Sequence, residues 1–475
     1  MASILDSTLY QLTNADAFTP RQAVEGVAIF GSIGSGKTSG SGQTLARKYL
    51  EAGFGGIILC AKPDELQLWQ DYCREAGRSE DLIVLGEGSD ESFNFLDYES
   101  KRKDQGSLIT HNIASVLMTV IRAGEPEGDE KDKAFWDGTM RSLLIHSIEL
   151  CLITRKELRF KDIAAVINSA PSSQDDLESL NWRSSSACFK LLKFAAEIIK
   201  SLPPIPDTER KYRTIRKVED FFLTTWLNLS EKTRSIVEQM VFNFSGRFLS
   251  EPLYSRFCQT TTVTPDDTMR GKIIILNLPY LIYEQAGRDG QILFKYIWQR
   301  AVQRRSIVET SRPVFLWADE AHLFLHHHDV DHQSTARAFR ACTVYISQNL
   351  ANYYLHAGAG ETGRNRIEAL LGNMGTKIFH ANSCFTTNEY AANTLGKIRD
   401  WSANEGASYG QDFSVNMGRS ENVEYIVQPA EFATLKTGGE ANDYITEAIV
   451  HRQGAPFAVS QTNYIRTYFK QNNTL

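Results

Sequence analysis

Paired cysteines are the first pattern that this sequence lacks. Its 475 residues contain seven cysteines, an odd number, and no two of them stand in a C-x-x-C arrangement. Scattered cysteines of this kind are typical of reduced thiols in a cytosolic protein, and they form neither a disulfide framework nor a zinc site.

Long hydrophobic runs are also missing. No stretch of about 18 apolar residues occurs, and the N-terminus has no charged segment followed by an apolar one. We therefore expect no membrane span and a cytoplasmic location, with membrane recruitment only through a partner.

The chain has no excess of positive charge, since its formal net charge is −6. No global field draws it to nucleic acid, so any DNA-binding surface must be local, such as the lining of a channel. Internal repeats and low-complexity tracts are absent as well. At roughly 150 residues per domain, the length fits two to three domains, or one large α/β domain with an insertion.

The most informative segment is GSIGSGKT at 31–38, between an apolar run at 27–30 and a helix-forming stretch at 44–50. It matches the phosphate-binding P-loop (Walker A) in its strand–loop–helix context. Glycines let backbone N–H groups point at phosphate oxygens, the lysine reaches the β- and γ-phosphates, and the Thr38 hydroxyl ligates Mg²⁺. We predict nucleoside triphosphate binding by Gly31, Ser32, Gly34, Ser35, Gly36, Lys37, Thr38 and Ser39.

Short apolar runs alternate with helical stretches on both sides of a long helical region. Runs at 57–60, 82–85, 272–278 and 376–380 predict strands of a parallel sheet covered on both faces. Helical periodicity dominates from about 105 to 260. We predict a nucleotide-binding α/β domain in two parts, 1–105 and 261–475, with an all-α domain inserted at 106–260.

A second nucleotide motif follows the strand predicted at 313–318. Apolar residues that end in Asp319-Glu320 form a Walker B element, in which Asp319 holds Mg²⁺ through its water shell and Glu320 polarises the attacking water. The next strand, at 342–347, ends at Gln348. Its amide can hydrogen-bond the γ-phosphate or the attacking water, although a capping role is the alternative.

Two clusters of polar residues have less specific interpretations. Five of the ten histidines lie between His322 and His332. A metal site is conceivable there, but we favour a solvated or polyanion-contacting loop, because no cysteine lies nearby. The basic stretch at 210–217 is read first as a solvated face, with DNA contact as the alternative.

The order of these motifs resembles the coupling proteins of conjugative type IV secretion (the TraD/TraG class) within the HerA/FtsK group of P-loop translocases. The resemblance rests on the P-loop, IILCAKPDEL at 57–66, SFNFLD at 92–97, FWDGTMRSLL at 135–144 and Asp319-Glu320. It continues through ISQNL at 346–350, the segment at 370–396 and YIVQPAEF at 425–432. It covers nearly the whole chain from the P-loop onward.

This resemblance implies a RecA-like P-loop ATPase with a mainly parallel central sheet, interrupted by an inserted all-α domain. It also implies that ATP and Mg²⁺ are the ligands. The chain is then expected to form a hexameric ring with DNA in its channel. An arginine from the neighbouring subunit then stabilises the transition state. Family placement favours Arg337 over Arg340, with Arg364 and Arg366 in reserve.

The sequence departs from the family in two places. Cys60-Ala61 and Pro63-Asp64 replace the usual Asp-Pro and Gly-Glu, and the chain starts close to its P-loop strand, without the membrane-spanning helices that coupling proteins have. We therefore expect a soluble version of these proteins, and the departure calls docking to a secretion channel into question.

Three functions remain possible. The chain can be a DNA-translocating ATPase, a HerA-like ATPase ring that scaffolds a nuclease or other effector in prokaryotic defence or repair, or an ATP-gated switch that recruits a secretion or relaxase partner. Glu320, Gln348 and a candidate trans arginine favour real hydrolysis over the switch.

Overall fold

The computed structural model describes residues 4–102, 109–123, 130–201, 203, 206–358, 360–409 and 413–471. Its strands are β1 (Tyr10–Gln11), β2 (Ala17–Phe18), β3 (Val27–Phe30), β4 (Gly55–Leu59), β5 (Leu82–Gly86), β6 (Ile273–Asn277), β7 (Val314–Ala318), β8 (Ala341–Ser347), β9 (Thr376–Phe379), β10 (Lys397–Tyr409), β11 (Phe413–Tyr425), β12 (Ile445–Arg452) and β13 (Tyr464–Lys470).

Helices flank these strands throughout. They are α1 (Pro20–Ala23), α2 (Gln43–Glu51), α3 (Glu65–Glu75), α4 (Phe95–Ser100), α5 (Ile109–Ala123), α6 (Glu130–Thr154), α7 (Phe160–Asn168), α8 (Gln174–Glu178), α9 (Leu180–Ser185), α10 (Ala187–Ser201), α11 (Pro206–Asp220), α12 (Glu231–Phe248), α13 (Leu253–Phe257), α14 (Tyr280–Arg304), α15 (Asp329–Thr335), α16 (Leu350–Ala357), α17 (Glu361–Gly372) and α18 (Phe385–Leu395).

Nine of the strands form one central sheet in the order β13-β12-β9-β3-β8-β7-β4-β6-β5. The pairs from β9 to β5 are parallel, while β12 runs antiparallel to β9 and to β13. The apolar runs seen in the sequence become strands that are buried on both faces, as a parallel sheet covered by helices requires. The predicted α/β fold with a mainly parallel central sheet is confirmed.

Close packing between the central strands depends on small residues in β4. A Cβ atom on Gly56 would collide with the carbonyl oxygen and ring of Phe315 on the neighbouring β7. Any larger residue at this position would therefore push β4 away from β7, the strand that leads to Asp319.

Helices α5 to α13 occupy the long interval between β5 and β6, which are adjacent parallel strands. The chain leaves and re-enters the sheet region through a hydrogen-bonded neck. There the Phe93 N–H donates to the Arg256 carbonyl (2.7 Å), and the Thr262 N–H donates to the Ser92 carbonyl (2.9 Å). We propose that this neck marks the ends of an inserted helical unit, close to the boundaries expected from the sequence.

The inserted helices share a hydrophobic core with one face of the sheet. One buried cluster contains Ile274 and Leu316 of the sheet together with Leu117 and Phe248 of the helical segment. A second cluster, on the other sheet face, is covered by α2 and α3. The helical segment is therefore packed on the α/β part rather than tethered to it.

A buried ion pair fixes α14 against the loop after β7. The Lys295 ammonium is fully buried and contacts the Asp329 carboxylate at 2.7 Å and the Phe324 carbonyl at 2.8 Å. Gln299 and the Tyr345 hydroxyl also donate to Asp329, at 2.8 and 3.1 Å. Burial disfavours the charged form of Asp329, but its cationic and hydrogen-bonded neighbours lower its pKa.

The expectation of a solvated histidine loop is wrong for most of its residues. His322, His326 and His332 are buried, and only His327 of the five is exposed. The segment packs on α14, where the Tyr296 ring lies 5.7 Å from the His326 ring and Trp298 lies 5.9 Å from His332. Among the described residues no group of three or more His, Cys, Asp or Glu side chains could hold a metal ion.

The sequence analysis missed a long β-hairpin. Strands β10 and β11 pair antiparallel from Lys397–Tyr425 to Tyr409–Phe413 and form a separate two-stranded sheet. Their alternating polar and apolar residues have no flanking apolar run that would mark them as part of the core.

Candidate functional site

The loop after β3 has the conformation of a phosphate-binding turn. Gly34 and Gly36 both have positive φ, at 74° and 82°, and a Cβ atom on Gly36 would collide with the Thr446 side chain. A π-helical turn over Lys37–Gly42 then leads into α2. The chain can make this turn because glycine has no steric penalty in the left-handed region.

The neighbouring strand ends fix the position of this loop. The Gly31 N–H donates to the Ser347 carbonyl at the end of β8 (3.3 Å), and the Ser32 N–H donates to the Ala381 carbonyl after β9 (2.9 Å). Ser39 has a more peripheral position, where its exposed hydroxyl accepts a hydrogen bond from Gln471.

Lys37 is buried beneath this loop without a counter-ion. Its side chain is 7% exposed, and no hydrogen bond or ion pair joins it to the residues that the structure describes. The buried Ser35 hydroxyl also has no partner among them. An unpaired buried cation beside an unsatisfied donor is costly unless an anion occupies the loop, so the local geometry fits a bound phosphate.

A buried histidine supports the turn from below. His380, directly after β9, contacts the Ser41 hydroxyl (2.7 Å) through Nε2 and the Glu447 carbonyl (3.0 Å) through Nδ1. Burial lowers the pKa of His380 to about 3, so the ring is neutral. Nδ1 therefore carries the proton and donates to the carbonyl, and Nε2 accepts from Ser41.

Thr38 and Asp319 meet at the carboxyl edge of the sheet. The Thr38 hydroxyl donates to Asp319 Oδ2 at 2.9 Å, although 281 positions separate the two residues. The second carboxylate oxygen, Oδ1, accepts from the Glu320 N–H at 2.9 Å. A hydroxyl and a carboxylate at this spacing are ligands that Mg²⁺ prefers, so this pair could hold the metal.

Glu320 has an unusual backbone conformation, and its carboxylate also lies at the carboxyl edge of the sheet, where Thr38 and Asp319 meet. Its φ and ψ are 50° and 45°, a left-handed conformation that is uncommon for a residue other than glycine. The Gln348 amide donates to Glu320 Oε1 at 3.1 Å, while the buried Oε2 atom has no hydrogen-bond partner among the described residues. One carboxylate oxygen is therefore held by Gln348, and the other is a buried acceptor whose hydrogen-bonding capacity is unused among the described residues.

His322 lies behind this carboxylate. Its Nδ1 atom is 3.2 Å from the Ser347 hydroxyl and 3.7 Å from Glu320 Oε2. Burial and the neighbouring His356 lower the pKa of His322 to about 4, against the opposing effect of Asp319. The ring is neutral near pH 7 and forms no ion pair with Glu320.

The structure adds Lys62, which the sequence analysis did not select. Its ammonium lies 3.6 Å from Asp319 Oδ2 and 3.7 Å from Glu320 Oε1. Partial burial lowers the pKa of Lys62, but the two carboxylates outweigh it and raise that pKa. Lys62 is therefore shared by both carboxylates and offsets part of their combined negative charge.

The loop that carries Lys62 includes both replaced pairs, Cys60-Ala61 and Pro63-Asp64. The Cys60 N–H donates to the Gln291 side chain (2.6 Å), and the Ala61 N–H donates to the buried Glu65 carboxylate (2.9 Å). Burial, reinforced by Asp319, raises the pKa of Glu65 well above its usual range. These contacts hold the loop in place through its backbone.

The candidate arginines lie elsewhere. Arg337 is in the short helical turn before β8, at the opposite edge of the sheet from the P-loop, and its exposed side chain lies 3.5 Å from Glu25. Arg340 donates to the Glu309 carbonyl (2.9 Å), Arg364 pairs with Glu368 (3.4 Å), and Arg366 donates to the Ala357 carbonyl (3.3 Å). The contacts given for these four arginines are with residues outside the group formed by Lys37 and Glu320.

Solved structures of a bacterial conjugative coupling protein have folds similar to that of this chain. The bacterial conjugative coupling protein TrwBdeltaN70, in an unbound form, is 13% identical, with a TM-score of 0.56 over 96% of this chain and 87% of that one. TrwB with the ATP analogue ADPNP is 14% identical, with a TM-score of 0.55 over 98% and 91%. TrwB with ADP and Mg²⁺ is 14% identical, with a TM-score of 0.57 over 99% and 91%.

This similarity confirms the predicted resemblance to conjugative coupling proteins at the level of the fold. No protein-family model matches the chain, and no curated protein sequence matches it. Within the part of the chain that the structure describes, every helix is too short or too polar to cross a bilayer.

Lys62 generates a testable prediction about metal affinity. Replacing Lys62 with methionine removes the cation that competes for Asp319 and Glu320, so the half-saturating Mg²⁺ concentration for binding of a fluorescent ATP analogue should fall several-fold. Lys48→Met is the control, because Lys48 is a half-buried lysine of α2 that pairs with Glu51 (2.6 Å). An unchanged or increased Mg²⁺ requirement in Lys62→Met would contradict this role.

Proposed function

We propose that the chain is an ATP-hydrolysing motor that assembles into a ring and moves DNA. One observation supports hydrolysis above all others. Thr38, Asp319, Glu320 and Gln348 converge beside a buried lysine without a counter-ion. The similarity to a coupling protein whose structures hold ADPNP, or ADP and Mg²⁺, supports ATP and Mg²⁺ as the ligands here.

Each residue has a defined task in this proposal. Backbone N–H groups of 31–38 surround the phosphates, and Lys37 provides the charge that the β- and γ-phosphates require. Thr38 and Asp319 hold Mg²⁺, which supplies charge neutralisation at the phosphates when bound. The Glu320 carboxylate accepts a hydrogen bond from the attacking water and polarises it. Gln348 keeps that carboxylate in position through its hydrogen bond to Oε1.

The opposite edge of the sheet provides the surface for a neighbouring subunit. Arg337 lines a cavity of about 520 Å³ together with Glu25, Gln333 and Arg452. Because the seven residues of β8 separate Arg337 from the Gln348 edge, roughly 20 Å of sheet lies between this arginine and its own P-loop. Arg337 can serve only the nucleotide of another subunit, so we propose a head-to-tail ring, with six subunits as the expected number.

DNA in the ring channel is the proposed substrate of the motor. Such a ring could serve a nuclease or other effector, a relaxase or a secretion channel. The complete hydrolytic constellation supports a motor over a switch that binds ATP without turnover.

The role of Glu320 is tested by replacing it with glutamine. The amide cannot polarise water as a carboxylate does, so ATP hydrolysis should fall by about 10²-fold or more while affinity for a fluorescent ATP analogue is retained. Glu51→Gln, on the exposed side of α2, is the matched control. Turnover at the level of that control in Glu320→Gln would remove Glu320 as the base.

The ring is tested by complementation between two inactive variants. Arg337→Ala should bind nucleotide normally and lose turnover by roughly 10³-fold, because transition-state charge is no longer neutralised. Mixing it with Lys37→Ala should restore part of the activity, since the native arginine of one subunit then serves the intact P-loop of the next.

Turnover per subunit should also rise steeply with protein concentration, by mass action. A monomer by light scattering with full activity at all concentrations, or a mixture without recovery, would overturn the trans arginine.

A further inference from the structure

A second cavity lies between the helical segment and the α/β part, away from the P-loop. It has a volume of about 170 Å³ and is lined by residues of α5, α6, α14, α16 and α17 and of the loop after β7. We name it the arginine pocket, after its arginines Arg122, Arg288 and Arg366. His326 and His356 also line it.

The pocket contains more positive than negative charge. Asp137 is the only carboxylate among its lining residues, and it pairs with Arg122 at 2.7 Å. Arg288 has no hydrogen bond or ion pair to the described residues, because the adjacent Asp289 carboxylate is already bound by Arg247 (2.5 Å) and Gln285 (2.7 Å). Burial lowers the pKa of Arg288, which remains a cation near pH 7.

Three buried nitrogen atoms of these side chains have no hydrogen bond in the described part of the chain. They are Nε of Arg122, Nε of Arg288 and Nε2 of His326, and the last of these lies 3.9 Å from Asp329 Oδ1. His326 Nδ1 accepts from the His328 N–H at 3.3 Å, and burial keeps the ring neutral, so its proton is on Nε2. All three atoms are therefore hydrogen-bond donors, and unsatisfied buried donors are rare in folded proteins.

We propose that the arginine pocket binds a phosphate group. Donors from three separate elements, with more arginine than carboxylate charge among the described lining residues, match an oxyanion with several acceptor oxygens, which guanidinium groups bind well. The expected source is a phosphodiester of a nucleic-acid backbone, because among the described lining residues Arg366 is only half-buried and His327 is exposed, so a continuing chain could approach from their side. This choice of source rests on the proposed function, whereas the phosphate site itself does not.

The pocket is linked to the hydrolytic residues through two histidines. The His356 ring lies 4.9 Å from the His322 ring, and His322 Nδ1 lies 3.7 Å from Glu320. Two imidazole rings thus separate the phosphate site from the proposed base. Occupancy of the pocket should therefore change the rate of ATP turnover.

The site is tested with inorganic phosphate on a chain that carries Lys37→Ala, which removes the P-loop as a competing phosphate site. At constant ionic strength, replacing chloride with phosphate should raise the thermal unfolding midpoint along a saturable curve. This saturable rise should disappear when Arg288→Met is added and persist when Arg155→Met is added. Arg155 is an arginine of the helical segment outside the pocket.

The comparison of variants separates binding from the general stabilisation that phosphate gives to proteins. If all three chains respond to phosphate equally, the proposal is wrong. Should Arg288→Met fail to fold, Arg366→Met replaces it, with the same expected loss.

The source of the phosphate is tested by turnover of the chain with native Lys37. A single-stranded oligothymidylate should stimulate ATP hydrolysis several-fold, and the stimulation should be lost in Arg288→Met but kept in Arg155→Met. Saturable phosphate binding with equal stimulation in both variants would overturn the nucleic-acid source and leave free phosphate. If the chain shows no turnover at all, the proposed function fails, and the phosphate titration still decides whether the site exists.

Discussion

The hydrogen bond from the Thr38 hydroxyl to Asp319 ties together the two halves of the nucleotide site. Thr38 follows β3 and Asp319 follows β7, with β8 between them in the sheet. The bond can form only if all three strands run parallel and end at the same edge. Strand order, the helical crossovers and the tight β4–β7 contact at Gly56 all serve this requirement. A shift of one strand would separate the hydroxyl from the carboxylate and move Gln348 away from Glu320.

Much of this edge could be predicted from the sequence, because its motifs are local and parallel strands bring their carboxyl ends together. Lys37, Thr38, Asp319, Glu320 and Gln348 follow strands that apolar runs identify. Lys62 and His380 were missed, since their partners are far away in sequence and depend on strand order. A signal existed for both, as Lys62 comes two residues after the strand predicted at 57–60 and His380 is the polar last residue of the strand predicted at 376–380.

The histidine segment shows a different limit. Five polar histidines close together in the sequence predict a solvated loop. In the structure, Tyr296 and Trp298 of α14 pack against His326 and His332. The Lys295–Asp329 ion pair fixes that packing. The hairpin formed by β10 and β11 was also missed, because its two strands pair only with each other and their sequence has no run of apolar residues that would predict a strand.

The account depends most directly on a divalent cation held by Thr38 and Asp319 against nucleotide phosphate. Replacing Mg²⁺ with Mn²⁺ in the presence of a non-hydrolysable ATP analogue makes this position visible to electron–nuclear double resonance. The account predicts a ³¹P hyperfine coupling typical of a directly coordinated phosphate, which is lost in Asp319→Ala. Bound nucleotide without any ³¹P coupling to Mn²⁺, or the same coupling after Asp319→Ala, would contradict it.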